Sequence, residues 1–227
     1  MTPDAALAAL RAEADPDRAA EMAAYHKTTR EILGLATPVI DDLARGWRAD
    51  LSLGDRLTLA AGLWDSDIFE GRIAAAKLLT QARIRPDDSG AWDLIAAWVP
   101  EFDGWAIADT VCIAGQKRLL ADPSRLEVVE AWTRNDNMWI RRAALVITLP
   151  WAKMNFPKSA DLAIRERVLD WAATYVADRD WFIQKAVAWW LRDLSKHDPD
   201  RSRAFLASEG AGLKSFARKE AARHLSV

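Results

Sequence analysis

The chain has little of what a disulfide-bonded, β-sheet or membrane protein needs. Cys112 is the only cysteine in 227 residues, which excludes an intramolecular disulfide and suits a reducing compartment. Ten glycines and almost no alternation of valine and isoleucine argue against strands. The longest apolar run, residues 143–152, is too short to cross a bilayer, and the first residues lack the basic segment of a signal peptide. We therefore expect a soluble cytoplasmic protein that does not contact membranes.

The whole chain also lacks a large surplus of either charge, because its net charge is only −2. The two halves differ, however. Residues 1–109 carry 11 Lys and Arg against 19 Asp and Glu, whereas residues 110–227 carry 20 against 14. This asymmetry indicates an anion-binding surface built mostly from the second half. Chance clustering of charges on solvated helix faces is the alternative.

Signals for helices are frequent. Alanine- and leucine-rich segments have apolar residues spaced three to four apart, as an amphipathic helix requires. Capping residues precede proline at four places, where they predict helix starts. These places are Thr2-Pro3, Asp15-Pro16, Thr37-Pro38 and Asp122-Pro123. The pattern predicts an all-α fold.

The helical segments repeat. An aromatic residue opens five of them, at steps of 36, 34, 43 and 34 residues, and a short acidic loop precedes most of them. These residues are Phe69, Trp105, Trp139, Phe182 and Phe216. The period is typical of HEAT-type helix-pair solenoids, whose stacked pairs share one core. We expect a single domain over residues 1–227, with a helical cap over roughly 1–50 and repeats over roughly 51–227. Its solenoid would be curved, with a concave, partly basic groove.

Basic residues follow the aromatic residues in register. Three positions after each aromatic residue the chain has Arg72, Ala108, Arg142, Lys185 and Lys219. Such a ladder can follow a phosphate backbone. The alternative is that each basic side chain forms a structural ion pair with the acidic loop before its helix. Only the second repeat breaks the ladder, and there Asp109 follows Ala108, which predicts a carboxylate in a mostly cationic groove.

Trp105 and Asp109 are four residues apart, so they share one face of a helix. Arg142 and Trp189 occupy similar helical settings later in the chain. On parallel helices, these four side chains could hold a cationic substrate beside a phosphate backbone. The alternatives are a surface ion pair for Asp109, with Lys117 or Arg142, and simple packing for the two indoles.

The chain resembles the HEAT-like-repeat DNA alkylation repair glycosylases of the AlkC/AlkD type. The resemblance extends from about Tyr25 to the final helix. Its sharpest stretches are residues 105–111, 137–144, 182–189 and 219–221. The catalytic aspartate of that family falls on Asp109, its two groove tryptophans on Trp105 and Trp189, and its phosphate-binding arginine on Arg142.

The resemblance implies excision of N3- or N7-alkylated purines from double-stranded DNA. The cationic base departs neutral, so positive charge develops on the deoxyribose, where a carboxylate stabilises the transition state. Asp109 would take that role, with Trp105 and Trp189 facing the sugar and the charge. Arg142 would hold a phosphate, and further candidates for backbone binding are Lys185, Lys219 and Arg72. We expect a monomer that needs no cofactor or metal and associates with the nucleoid when it acts.

Two other functions stay open at this point. A relative of these enzymes could bind damaged or branched DNA without breaking a bond. A helical-repeat scaffold could instead grip an acidic peptide, with Trp105 and Trp189 as anchors. The slightly negative net charge departs from the basic surplus that nucleic-acid binders usually carry. The presence of Asp109 favours catalysis.

Overall fold

The computed structural model describes residues 1–225, and within them the chain is entirely helical. Its α-helices are α1 (Pro3–Ala12), α2 (Pro16–His26), α3 (Thr37–Asp50), α4 (Leu53–Asp65), α5 (Phe69–Leu78), α6 (Ser89–Trp98), α7 (Trp105–Ala121), α8 (Leu126–Trp132), α9 (Met138–Val146), α10 (Leu149–Ala152), α11 (Ser159–Tyr175), α12 (Trp181–Leu194), α13 (Pro199–Ser208) and α14 (Ser215–Ala221). The all-α prediction is confirmed. Over the same residues, the structure has no helix that is both long and apolar enough to span a membrane.

The predicted helix starts show how the local sequence specifies these elements. Thr2 and Asp15 accept hydrogen bonds from backbone N–H groups three residues later, at 3.2 and 3.0 Å. Each thereby satisfies a donor that the first turn of a helix leaves without an internal partner. Asp122 caps the short 3-10 turn Pro123–Arg125 instead of an α-helix. At Thr37-Pro38 the helix begins one residue earlier than predicted, because Thr37 is itself the first residue of α3 and Ala36 is the N-cap.

The chain divides into two compact units, of which unit 1 is Met1–Ala121 and unit 2 begins at Asp122. In unit 1, α5 packs between α3 and α7, and these three helices form one row. The partners α4 and α6 pack against α5 and α7, respectively, and α1 packs on α4. The interior of unit 1 contains fully buried apolar side chains such as Leu59, Leu63 and Leu78.

Unit 2 repeats this arrangement with its own helices. The row is α9, α12 and α14, with α12 in the middle. Their neighbours α8 and α11 pack against α9 and α12, and α13 also packs against α12. The short α10 contacts both α11 and α12. Trp151 and Trp190 are buried in the interior of this unit.

The predicted register of the aromatic residues is confirmed by the helix boundaries. Phe69 and Trp105 are the first residues of α5 and α7, while Trp139, Phe182 and Phe216 are the second residues of α9, α12 and α14. All five therefore lie in the first turn of a row helix. The expectation of one continuous domain with a concave groove stays a prediction.

Candidate functional site

The carboxylate and one indole of the predicted site lie together in unit 1. Trp105 opens α7 and Asp109 follows one turn later, and both side chains are partly exposed. They line the same cavity of about 260 Å³, whose walls come from α2, α3, α5 and α7. Much of the wall is apolar, with Ile40, Phe69 and Ile73 among its residues. In such surroundings a carboxylate acts more strongly on a nearby positive charge than it would in water.

Aromatic rings from the end of α2 pack against Trp105. The His26 ring lies 5.2 Å from the Trp105 ring and 4.7 Å from the Phe69 ring, measured between centroids. Tyr25 meets Trp105 edge-on at 6.1 Å. Burial lowers the pKa of His26 below its ordinary value, although the negative charge of Glu70 acts in the opposite direction. The lowered pKa favours the neutral form of the His26 ring, and the indole of Trp105 has two neighbouring rings packed against it.

Glu70 holds this part of the site in position. Its side chain is buried and accepts hydrogen bonds from the backbone N–H groups of Leu33, Gly34 and Leu35, at 2.9, 2.8 and 3.2 Å. Gly34 has a φ of +83°, and a Cβ there would lie 2.1 Å from the carbonyl oxygen of Asp15. The loop between α2 and α3 is thus attached to α5. We infer that this attachment orients the end of α2 towards Trp105.

A second cavity, of about 400 Å³, shares four lining residues with the first. It adds basic side chains, because Arg45 and Arg48 of α3 line it together with Lys77 of α5. Lys77 pairs with Asp41 at 2.5 Å, and the guanidinium of Arg48 donates to the carbonyl of Lys77 at 3.2 Å. Unit 1 is acidic overall, yet Lys77 lines the cavity of Asp109 and two further cations line the cavity that adjoins it. The ladder did not include Arg45 and Arg48, because they precede the aromatic repeats.

Arg142 and Trp189 lie together in unit 2. Arg142 is 4% exposed, and its Nη1 donates to the carbonyl of Phe182 at 3.0 Å. Its guanidinium carbon lies 6.0 Å from the centroids of both the Phe182 and the Trp189 rings. The indole N–H of Trp189 donates to Asp193 at 2.9 Å, and Lys153 approaches the same ring to 5.9 Å. Trp189 is therefore fixed at its edge and has two cations near its ring.

Two of the predicted backbone-binding residues are exposed, as the ladder requires. Lys185 lies on α12 with its ammonium nitrogen 4.5 Å from the centroid of the Trp181 ring. Trp181 is 46% exposed and stacks on Phe216 of α14, with centroids 5.9 Å apart. Lys219 is exposed on α14. This end of unit 2 presents cations and aromatic surface to solvent.

Arg72 differs from the other members of the ladder. It is 5% exposed, and its guanidinium pairs with Asp67 at 3.0 Å and with Glu101 at 2.6 Å. It also lies 4.3 Å from the centroid of the Trp64 ring. Asp67 belongs to the acidic loop before α5, so the structural alternative considered from the sequence describes Arg72. Its charge is engaged inside unit 1, and we do not assign it to a DNA-binding surface.

The structure thus brings together Trp105 and Asp109 in one unit and Arg142 and Trp189 in the other. That all four act on one nucleotide stays a prediction. The ring support from Tyr25 and His26, and the role of Glu70, were not recognised from the sequence. The glycine before α3 was the one local sign of a constrained loop there.

Solved structures of bacterial proteins share this fold. A predicted DNA alkylation repair enzyme from Enterococcus faecalis aligns with a TM-score of 0.77 and 21% identity, over 94% of this chain and 97% of that one. AlkD2 from Streptococcus mutans aligns with a TM-score of 0.62 and 17% identity, over 85% and 92% of the two chains. At these identities the likeness shows the fold alone.

Sequence comparison identifies the family. No curated protein sequence matches the chain. The family model described as "DNA alkylation repair enzyme" matches residues 6–225, nearly the whole length. The chain therefore belongs to the DNA alkylation repair enzyme family.

Proposed function

We propose that this protein is a DNA glycosylase that hydrolyses the N-glycosidic bond of positively charged N3- or N7-alkylpurines in duplex DNA. One observation carries the proposal. Asp109 lines a largely apolar cavity beside Trp105, and a cavity lined by cations adjoins it, in a chain of the DNA alkylation repair family. A carboxylate suits a developing sugar cation, and the neighbouring cations suit phosphates.

The reaction needs little from the enzyme at the leaving group. The alkylated purine already carries a positive charge, so the electrons of the broken bond neutralise it and the base departs without a general acid. Positive charge then develops on the deoxyribose, and Asp109 stabilises it more in the transition state than in the ground state. Asp109 also orients the water that adds to the sugar carbon and releases a proton. The products are the free base and an abasic site.

Two indoles are candidates for contact with the charged nucleotide, Trp105 in unit 1 and Trp189 in unit 2. An aromatic face near a cation contributes about 0.5–2 kcal/mol, so an indole in such contact would favour a charged nucleotide over a neutral one. The packing of His26 and Tyr25 on Trp105 supports this role, because an indole with fixed neighbours loses less side-chain entropy when it binds.

The DNA backbone would be held by exposed cations. Lys185 and Lys219 are our candidates in unit 2, and Arg45 is one in unit 1. Arg142 stays a candidate for a phosphate contact, although its 4% exposure limits the edge that it can offer. We propose that a monomer carries out the reaction.

The test measures release of the base. Purified protein is incubated with duplex DNA that contains N7-methylguanine, and free base is measured by chromatography beside the Asp109→Asn variant. We expect release by the wild type and a loss of about 10²–10³-fold in the variant, since the substitution removes the charge but keeps the shape. Salt-sensitive binding without release would favour a non-catalytic DNA binder. Absence of both would favour the protein-interaction scaffold.

A further inference from the structure

The longest repeat, between Trp139 and Phe182, contains an extra short helix and a loop. The step from Trp139 to Phe182 is 43 residues, whereas the other steps are 34–36. The helix α10 and the loop of residues 153–158, Lys-Met-Asn-Phe-Pro-Lys, lie within this step. Phe156 in this loop is 93% exposed, the largest value among the large apolar side chains that the structure describes. Exposing a phenylalanine side chain to water is unfavourable compared with burying it, so its exposed position calls for an explanation.

The backbone of the loop is anchored from inside unit 2. Arg165 of α11 is 2% exposed, and its guanidinium donates to the carbonyls of Trp151 and Met154 at 3.1 and 3.2 Å. The same guanidinium bonds to Asp198 at 3.1 Å. A buried arginine that spans these three acceptors holds the start of the loop in one conformation. Phe156 is thus presented on a supported backbone.

Side chains also attach the loop to α12 and its end. Asn155 Oδ1 lies 2.6 Å from Nδ1 of His197, which follows α12. Lys153 pairs with Asp193 at 3.3 Å, and Asp193 also accepts from the indole of Trp189. The beginning of the loop and Trp189 therefore share one carboxylate. Phe156 follows Lys153, the loop residue of this contact, by three positions in the chain.

The charges of the loop favour an anionic partner. Lys153 and Lys158 are exposed on either side of Phe156, and residues 153–158 contain no acidic residue. Proteins that kink DNA insert an apolar wedge between base steps while basic residues hold the adjacent backbone. A cationic loop with one projecting ring has the composition of such a wedge.

We propose that Phe156 is a wedge that inserts into duplex DNA beside the damaged nucleotide and stacks on a base, while Lys153 and Lys158 contact the flanking phosphates. The inference rests on the proposed function, because it places the loop on the same DNA that Trp189 contacts. It assigns to the extra length of this repeat a role in distorting the duplex at the lesion.

The test reads base stacking directly and does not depend on excision. A duplex carries 2-aminopurine next to an N7-methylguanine whose sugar is 2′-fluorinated to resist cleavage. Binding of the wild type should raise the 2-aminopurine fluorescence, because the base loses its stacking neighbour. Phe156→Ala should abolish most of that rise and weaken binding about tenfold. Phe156→Leu, which keeps an apolar wedge without a quenching ring, should retain much of both. The control is Leu162→Ala, which removes another exposed apolar side chain of the same unit, 43% exposed on α11.

Each outcome separates the wedge from the glycosylase. Unchanged fluorescence and affinity in Phe156→Ala would overturn the wedge, even if the wild type releases base normally. A fluorescence rise that depends on Phe156, without base release from the cleavable duplex, would keep the wedge and overturn the glycosylase. Loss of binding to anionic lipid vesicles in Phe156→Ala, with DNA binding unaffected, would assign the loop to a membrane surface and also overturn the wedge. An unchanged melting temperature would show that the variant is folded.

Discussion

The two units of the chain differ in charge and in how they use it. Residues 1–121 contain 13 Lys and Arg against 19 Asp and Glu, whereas residues 122–227 contain 18 against 14. Unit 1 contains Asp109 and two adjoining cavities, one of which Asp109 lines. Unit 2 contains the exposed Lys185, which lies over Trp181, and the exposed Lys219. The acidic unit thus has the features of a chemical site, and the basic unit those of a surface that holds an anion.

The comparison also shows that the net charge of a unit is a poor guide to its surface. In unit 1, Arg72 and Arg118 are buried, and both pair with carboxylates. In unit 2, Arg165 is likewise buried and ion-paired. These arginines count towards the net charge of a unit but are not available to a ligand at its surface. Position within the packed helices decides which charges remain at the surface.

The largest expected effect separates chemistry from binding. Asp109→Asn should lower the single-turnover rate of base release about 10²–10³-fold and leave the Kd for lesion-bearing DNA within about twofold. The reason is that the carboxylate acts mainly on charge that develops in the transition state. Rapid-quench kinetics and fluorescence anisotropy measure the two quantities. Equal losses in rate and affinity would contradict the assignment of chemistry to unit 1.

The next effect concerns the stability of unit 1. Glu70→Ala should lower the free energy of unfolding by about 3 kcal/mol, because three buried backbone N–H groups lose their acceptor. Glu70→Gln keeps one acceptor oxygen and should cost less. Urea denaturation followed by tryptophan fluorescence measures both. Glu21→Ala, at an exposed position on α2, is the control. An unchanged free energy of unfolding for Glu70→Ala would show that the loop before α3 keeps its conformation without these hydrogen bonds.

A smaller effect should mark unit 2. Lys185→Ala and Lys219→Ala should each weaken DNA binding severalfold and reduce the slope of log Kd against log salt concentration by about one. Affinity should fall equally for damaged and undamaged duplexes, because phosphates carry no information on the base. Arg203→Ala is the matched control, since Arg203 is an exposed basic residue on α13, outside the row of α9, α12 and α14. An unchanged salt slope in both lysine variants would remove them from the interface.

The smallest effect is the dependence of unit 1 on pH. Burial lowers the folded-state pKa of His26, so the unfolded chain takes up its proton first as the pH falls below about 6.5. The stability associated with neutral His26 is therefore complete above that pH and lost as the pH falls through the lowered pKa. An imidazolium beside Trp105 would also compete with a cationic base, so excision should decline in the same range. Glu70, Asp103, Asp109 and Lys77 are the other charged groups around this site.

The comparison that checks this prediction is a rate profile between pH 5 and 8 for the wild type and for His26→Phe. The phenylalanine ring keeps the packing on Trp105 but does not titrate. We expect its acid-side decline to be shallower than that of the wild type. An identical decline in the two proteins would assign the titration to another group.

Much of the fold could be predicted because it depends on local patterns. The aromatic residues mark the first turns of the row helices, and the capping residues mark helix starts, since both features act within a few residues. The pairing of Trp105 with Asp109 followed from the same local rule of one turn in a helix. The all-α class and the repeat register needed no knowledge of distant contacts.

The rest depended on contacts between residues far apart in the chain. Arg72 and Lys185 occupy the same position in their repeats, yet the first is buried with Glu101 and the second is exposed over Trp181. The packing of His26 on Trp105 depends on a loop that Glu70 holds from 35–37 residues away. The sequence by itself determined the helices and their spacing, because hydrogen bonds and caps within helices are local. Only the tertiary structure decided which charges are buried and which rings meet, because burial and pairing are properties of the packed helices.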